Sequence, residues 1–193
     1  DKWKDYRKPT IERDSYAKNV LAAWKWGYNH NLSKLGKPVD KTEWVMPPPT
    51  VNAYYNPLFN EIVFPAGILQ FPFYDPEADD AVNYGGIGAV IGHEMTHGFD
   101  DQGRLYDASG NLHNWWMPED SAHFVQKADV VVNQFNKMLV IDTMHANGRL
   151  TEGENLADLG GLNIAYAAFK KTEQGKGNNA IDGFTPDQRF FLS

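Results

Sequence analysis

Residues 88–104 read GAVIGHEMTHGFDDQGR, and the five at the centre, His93-Glu94-Met95-Thr96-His97, decide how the rest of the chain is read. On an α-helix, residues four apart lie about 40° apart around the axis and one turn apart along it. His93 and His97 therefore project from one face, and both imidazoles can reach one metal ion. Glu94 falls roughly 60° from His97 and 100° from His93, at the edge of that face. It is too offset to be a natural third ligand but close enough to hold a metal-bound water. In a zinc hydrolase the metal brings the pKa of its water to about 7 and polarises a carbonyl, while the carboxylate takes the proton and passes it to the leaving amine.

The five-residue pattern also arises by chance, so its surroundings matter. Ile87, Ile91 and Met95 give the predicted helix, residues 81–99, an apolar back. Gly85, Gly86, Gly88 and Gly92 each lower helix propensity by up to about 1 kcal/mol. That many glycines argue for neighbouring chain packed close rather than for a free surface helix. A third ligand must come from elsewhere, and Thr151-Glu152-Gly153-Glu154-Asn155-Leu156-Ala157-Asp158 offers one. Glu154 and Asp158 share a helix face at a spacing where like charges cost about 0.2–0.5 kcal/mol, a penalty that a nearby cation removes. Glu154 fits as ligand and Asp158 as the carboxylate that orients a ligand imidazole. Thr151 and Glu154 also spell a capping box; beside HExxH the metal role is preferred, and Thr151 is left to cap through its hydroxyl. Asp100-Asp101 has two readings, a partner for a ligand imidazole or a loop that ends the helix.

Asn52-Ala53-Tyr54-Tyr55 lies in an alternating stretch, Thr50 to Tyr55, that predicts a strand returning over Glu61–Phe64 as a hairpin. An enzyme that holds extended peptides needs such a strand with a free edge. Asn52 would offer its side-chain amide and Ala53 its backbone; an ordinary core strand is the other reading. Asp107, Ser109 and Asn111 imitate the start of a calcium loop, but Leu112 stands where glycine is required, so a turn is expected. Trp115-Trp116 reads as a core anchor at a helix start. No Ser-His-Asp frame and no phosphate loop is present.

The 193 residues carry a formal charge of −7 and no cysteine. The charge disfavours nucleic acid and anionic lipid as partners, and the missing cysteine excludes disulfides and thiolate chemistry. No apolar run is long enough for a membrane span. Along the chain, residues 1–14 read as a polar arm with Trp3 and Tyr6 as its anchors. Ser15–Leu35 reads as a helix whose Val20, Leu21, Trp24, Tyr28 and Leu32 share a face, and Pro47-Pro48-Pro49 reads as extended. Further helices are expected over 119–141 and 152–171, and a flexible loop over 173–179.

The stretches VNAYYNPLFNEIVFPAGILQ (51–70), GAVIGHEMTHGFDDQGR (88–104) and GENLADLGGL (153–162), together with RDSYAKNVL (13–21) and LGKPVDKTEW (35–44), resemble the neprilysin and endothelin-converting-enzyme family of zinc metallopeptidases. The resemblance implies a mainly helical α+β fold, a thermolysin-like zincin catalytic core with a small β-sheet and an HExxH helix. It implies one zinc ion held by His93, His97 and Glu154, Glu94 as general base, Asp158 as partner of a ligand histidine, and Asn52 and Ala53 on the substrate backbone. It implies cleavage of oligopeptides on the amino side of hydrophobic residues. Family chains are several-fold longer, so residues 1–193 are expected to form one partial catalytic domain. An upstream helical lid and a downstream segment with an oxyanion-stabilising histidine would lie outside it. Without that histidine a zinc-binding but catalytically silent chain is the alternative. The lack of cysteine resembles the bacterial oligopeptidase members, which implies an extracytoplasmic, periplasmic or cell-surface location, with the cytoplasm as the alternative.

Overall fold

Ser15 starts the first helix, α1 (Tyr16–Leu32): its backbone is extended and its Oγ accepts the Lys18 N–H at 3.4 Å. The computed structural model describes residues 7–193 and divides the chain into two compact units, one up to Glu43 and one from Trp44 onward. Trp3 and Tyr6 lie outside the described residues. In the first unit α1 ends earlier than its predicted Leu35, because the Ser33 hydroxyl donates to the His30 carbonyl at 2.7 Å and Gly36 turns the chain at φ 72°. Its apolar face is present, yet α1 has no buried residue.

The second unit opens with a turn where an extended segment was expected: the Thr50 N–H donates to the Pro47 carbonyl at 3.1 Å. Strands β1 (Tyr54–Asn56) and β2 (Glu61–Val63) then pair antiparallel, with Tyr54 opposite Val63 and Asn56 opposite Glu61. The hairpin exists, but its first strand starts four residues later than predicted. Asn60 makes the turn at φ 49°, a left-handed conformation that Asn tolerates better than most residues.

The predicted helix over 81–99 forms in three pieces. Helix α2 (Asp80–Asn83) is capped by Asp79, whose Oδ1 accepts the Val82 N–H at 3.1 Å. A π-helical turn, Tyr84–Gly88, leads into α3 (Ala89–His97). The turn widens because the Ile87 N–H leaves the helical ladder and bonds the Phe73 carbonyl at 2.8 Å. Helix α4 (Pro118–Phe135) starts on Pro118, where a missing N–H costs nothing. It stops six residues short of the predicted end. Leu139–Ile141 instead forms β3, paired with β4 (Met144–His145), and Asp142 turns the hairpin at φ 49°. The branched run Val140-Ile141 fits a helix period and a strand equally well.

Helix α5 (Glu152–Phe169) carries the second acidic motif. The capping box does not form. The Thr151 hydroxyl donates to the Asn147 carbonyl at 3.2 Å and accepts from Asn155 Nδ2 at 2.9 Å, so it bonds no helix N–H. Part of the expected tail loop is a short helix, α6 (Glu173–Lys176), started by Thr172, whose Oγ1 accepts the Gly175 N–H at 3.0 Å. Helix α7 (Pro186–Leu192) closes the chain behind a full capping box of Thr185 and Gln188. It delivers Phe190 to a core of Ala81, Ala165 and Phe169, where Phe169 and Phe190 stack 5.5 Å apart. A second core joins Ala53, Ile68 and Ile87 and ties the hairpin to the π-turn. Trp116 packs edge-on to Phe124 as an anchor at the start of α4, while Trp115 is half exposed. No helix among the described residues is long and apolar enough to cross a membrane.

Helices α3 and α5 share the largest interface between helices. At its centre two glycines meet. A Cβ on Gly92 would lie 2.6 Å from the Gly161 carbonyl oxygen, and one on Gly161 would lie 2.5 Å from the His93 nitrogen. Gly27 of α1 has nothing within 4 Å. Gly92→Ala or Gly161→Ala is therefore expected to destabilise the protein by about 1–3 kcal/mol or more through overpacking, read by chemical denaturation. Gly27→Ala should be neutral or stabilising by up to about 1 kcal/mol. Equal effects at the three positions would show that the crossing is not tight.

Candidate metal centre

The crossing sets His93 and His97 of α3 against Glu154 and Asp158 of α5. His93 and His97 meet edge to face, with Nε2 atoms 2.9 Å apart and ring planes at 89°. Glu154 Oε2 lies 3.4 Å from His93 Nε2 and 3.7 Å from His97 Nε2. Ligand atoms around a tetrahedral zinc at ordinary bond lengths sit about 3.3 Å apart. The three residues offer one ligand atom each, all within 4.8 Å of one another.

The other ring nitrogens explain why these atoms converge. His93 Nδ1 is 2.8 Å from Asp158 Oδ1, and His97 Nδ1 is 2.7 Å from Asp100 Oδ2. A carboxylate at Nδ1 favours the proton there, which leaves the Nε2 lone pair facing inward. In the neutral imidazoles, two lone pairs and a carboxylate oxygen then point at one spot, which is the chemistry of a cation site. The residues present fit zinc.

Asp100 resolves one of the open readings. It is buried, it bonds His97, and its Oδ1 accepts the Gln102 and Gly103 N–H groups at 2.9 and 2.7 Å. It therefore orients the His97 imidazole and also shapes the loop that ends α3. Burial pushes its carboxyl up, but the bonds from His97, Gly103 and Gln102 outweigh that and hold it below the usual range. The His97 imidazole is raised by the same hydrogen bond, against the opposing effect of its burial. Asp158, by contrast, has a side chain 77% exposed.

Glu94 is buried, 5% exposed. Burial raises its carboxyl above the usual range, the nearby His93, His97 and Tyr55 backbone pull it back, and Glu154 pushes it up again. The contact with Tyr55 is one the motif does not reveal. It sets β1, the first strand of the hairpin, beside the carboxylate. Asn52 and Ala53 lie just ahead of β1. Ala53 is buried, and its N–H donates to Asn52 Oδ1 at 2.9 Å.

The remaining motifs have local roles. Asp107 Oδ1 accepts the Ser109 and Asn111 N–H groups at 2.8 and 3.0 Å, which is the expected turn. His30 stacks on Trp26, with its Nε2 3.5 Å from Glu43.

Residues 52–193 match the model of peptidase family M13. The chain belongs to peptidase family M13. It is 49% identical over 193 residues to an endothelin-converting enzyme homolog of Locusta migratoria, covering 98% of this chain and 26% of that protein. It is 45% identical over 186 residues to endothelin-converting enzyme 1 of Rattus norvegicus, covering 95% of this chain and 24% of that protein. Among solved structures it is similar to the inhibitor complex of the Mycobacterium tuberculosis zinc metalloprotease Zmp1. There the TM-score is 0.91 at 49% identity, covering 99% of this chain and 30% of that one. The chain thus spans about a quarter of the length of the curated M13 relatives it matches. The fold is the mainly helical M13 zincin fold with small sheets, as the sequence led us to expect.

The pair His97–Asp100 has a defined pH signature in the metal-free protein. A lowered Asp carboxyl contributes stability that is present above about pH 4 and lost as pH falls. A raised His contributes stability that is present below about pH 6.5 and lost as pH rises through its folded value. Asp100→Asn should therefore cost about 1–3 kcal/mol near pH 5.5 and less near pH 9. Urea denaturation in the presence of a chelator reads the difference; a cost independent of pH would rule out the coupling.

Proposed function

We propose that the protein carrying this chain is a zinc-dependent endopeptidase that hydrolyses oligopeptides on the amino side of hydrophobic residues. The observation that carries the reading is the convergence of His93, His97 and Glu154 beside a buried, base-competent Glu94. His93, His97 and Glu154 would hold one zinc ion. Zinc bound there would supply Lewis-acid polarisation of a peptide carbonyl and a more acidic water.

The chain's own residues supply the rest. Glu94 accepts the water proton as general base and returns it to the leaving amine; a carboxyl held above its usual range suits both roles. Asp158 and Asp100 hold the two imidazoles in one tautomer, so that each Nε2 stays a ligand. The segment just ahead of β1 accepts the substrate as an added strand, with Ala53 offering its carbonyl and Asn52 its amide NH2. The family supports the peptidase activity, and the preference for hydrophobic residues rests on the likeness of the three motif stretches.

The test uses the intact protein and a quenched peptide with Phe or Leu after the scissile bond. Wild type should bind zinc and cleave. Glu94→Gln should keep its zinc and lose about 10²–10⁴-fold in kcat. Asp158→Asn should lose about 10–100-fold in zinc affinity or activity. A wild type that takes up no zinc, or Glu94→Gln at full activity, would sink the proposal; zinc without cleavage in wild type would make the site a binding site only.

A further inference from the structure

Glu154 sits in the first turn of α5, where backbone N–H groups lack helical partners and helices fray most readily. Its neighbour Thr151 does not cap the helix. Its own side chain is 70% exposed. Something else must hold this turn if the third ligand is to stand in place before a metal arrives.

The structure supplies a brace from α4. Arg149, just ahead of α5, reaches two carboxylates on different helices. Its Nη1 donates to Glu152 Oε2 at 2.7 Å, and its Nη2 donates to Asp129 Oδ1 on α4. The Glu152 side chain is 4% exposed, whereas that of Arg149 is 59% exposed. A carboxylate so buried needs a cationic partner, and the planar guanidinium fork can serve both acids at once. A second tie runs beside the first: the Gly148 N–H donates to Asn136 Oδ1, at the end of α4, at 2.8 Å.

We propose that Arg149 is a positioning residue for the metal centre: by bridging Asp129 and Glu152 it fixes the first turn of α5 and so the placement of Glu154. The proposal rests on the reading of His93, His97 and Glu154 as a metal site. It assigns Arg149 no contact with substrate or metal.

The experiment is a zinc titration of the intact, chelator-stripped protein in metal buffers, with hydrogen exchange of the metal-free form alongside. Arg149→Met should stay folded, exchange the hydrogen-bonded amides of residues 155–158 at least about tenfold faster than wild type, and bind zinc about 10–100-fold more weakly. Lys170→Met breaks another partly exposed bridge between helices, Lys170 to Asp187 at 2.9 Å, and should leave zinc affinity unchanged. Should Arg149→Met fail to fold, Asp129→Ala removes the α4 end of the bridge, leaves Glu152 its partner, and should weaken zinc binding in the same direction. The double variant Arg149→Met/Glu152→Gln removes the buried charge along with its partner. If it still binds zinc weakly, the bridge itself matters; if it recovers wild-type affinity, Arg149 only neutralises Glu152 and the proposal falls. Equal zinc affinity in wild type and Arg149→Met overturns the proposal alone. A wild type that binds no zinc overturns the metal-site reading, and the proposal with it.

Discussion

Everything at the metal centre depends on how closely α3 and α5 approach. Gly92 and Gly161 leave no side chain between the two backbones at the crossing. That closeness is what lets a carboxylate on one helix reach an imidazole on the other: Asp158 to His93 at 2.8 Å and Glu154 to the paired Nε2 atoms at 3.4 and 3.7 Å. Hydrogen bonds and metal ligation both fail within a few tenths of an ångström. A methyl group at either glycine would force the helices apart by more than that tolerance.

The same constraint organises the surrounding fold. The π-turn at Tyr84–Gly88 joins α2 to α3, and its Ile87 lies in the core that also holds Ala53. The hairpin and the HExxH helix are therefore set by one packing cluster, which is how the Tyr55 backbone comes to lie near Glu94. On the other side, Ala165 and Phe169 at the far end of α5 pack with Phe190 of α7 and Ala81 of α2. Helix α5 is thus held at its C-terminal end by apolar burial and at its N-terminal end by polar bridges to α4. A rigid apolar anchor at one end and a charged one at the other suit a helix whose first turns must carry two exposed acids.

The parts legible in the sequence were those that a single helix or strand encodes by itself. His93, Glu94 and His97 lie on one turn, so their shared face follows from helix geometry alone, and Glu154 with Asp158 follows in the same way. Asp100 remained ambiguous because both of its roles are real: it bonds His97 and it shapes the Gln102–Gly103 turn. The pairwise facts were not legible. Four glycines signalled close packing, but not that Gly92 would face Gly161. The run Leu139-Val140-Ile141 continues the apolar period of α4, and only the turn at Asn136 and the pairing with Met144-His145 make it a strand. The capping box at Thr151 failed because Asn147 and Asn155 claimed the hydroxyl, and neither lies in the four-residue pattern.

The two imidazoles are held unequally, and the difference bears on how the centre works. The partner of His97, Asp100, is nearly enclosed, its side chain 7% exposed, and lies three residues away in the same segment rather than on α5. The partner of His93, Asp158, is exposed and belongs to α5, as does Glu154. One displacement of α5 would therefore move Glu154 and loosen the orientation of His93 together, whereas the bond between Asp100 and His97 lies within one segment. On the proposed reading, metal affinity is then a property of the relation between α3 and α5 more than of the HExxH helix. That is a physical reason why the motif needs its downstream partner segment before it amounts to a site.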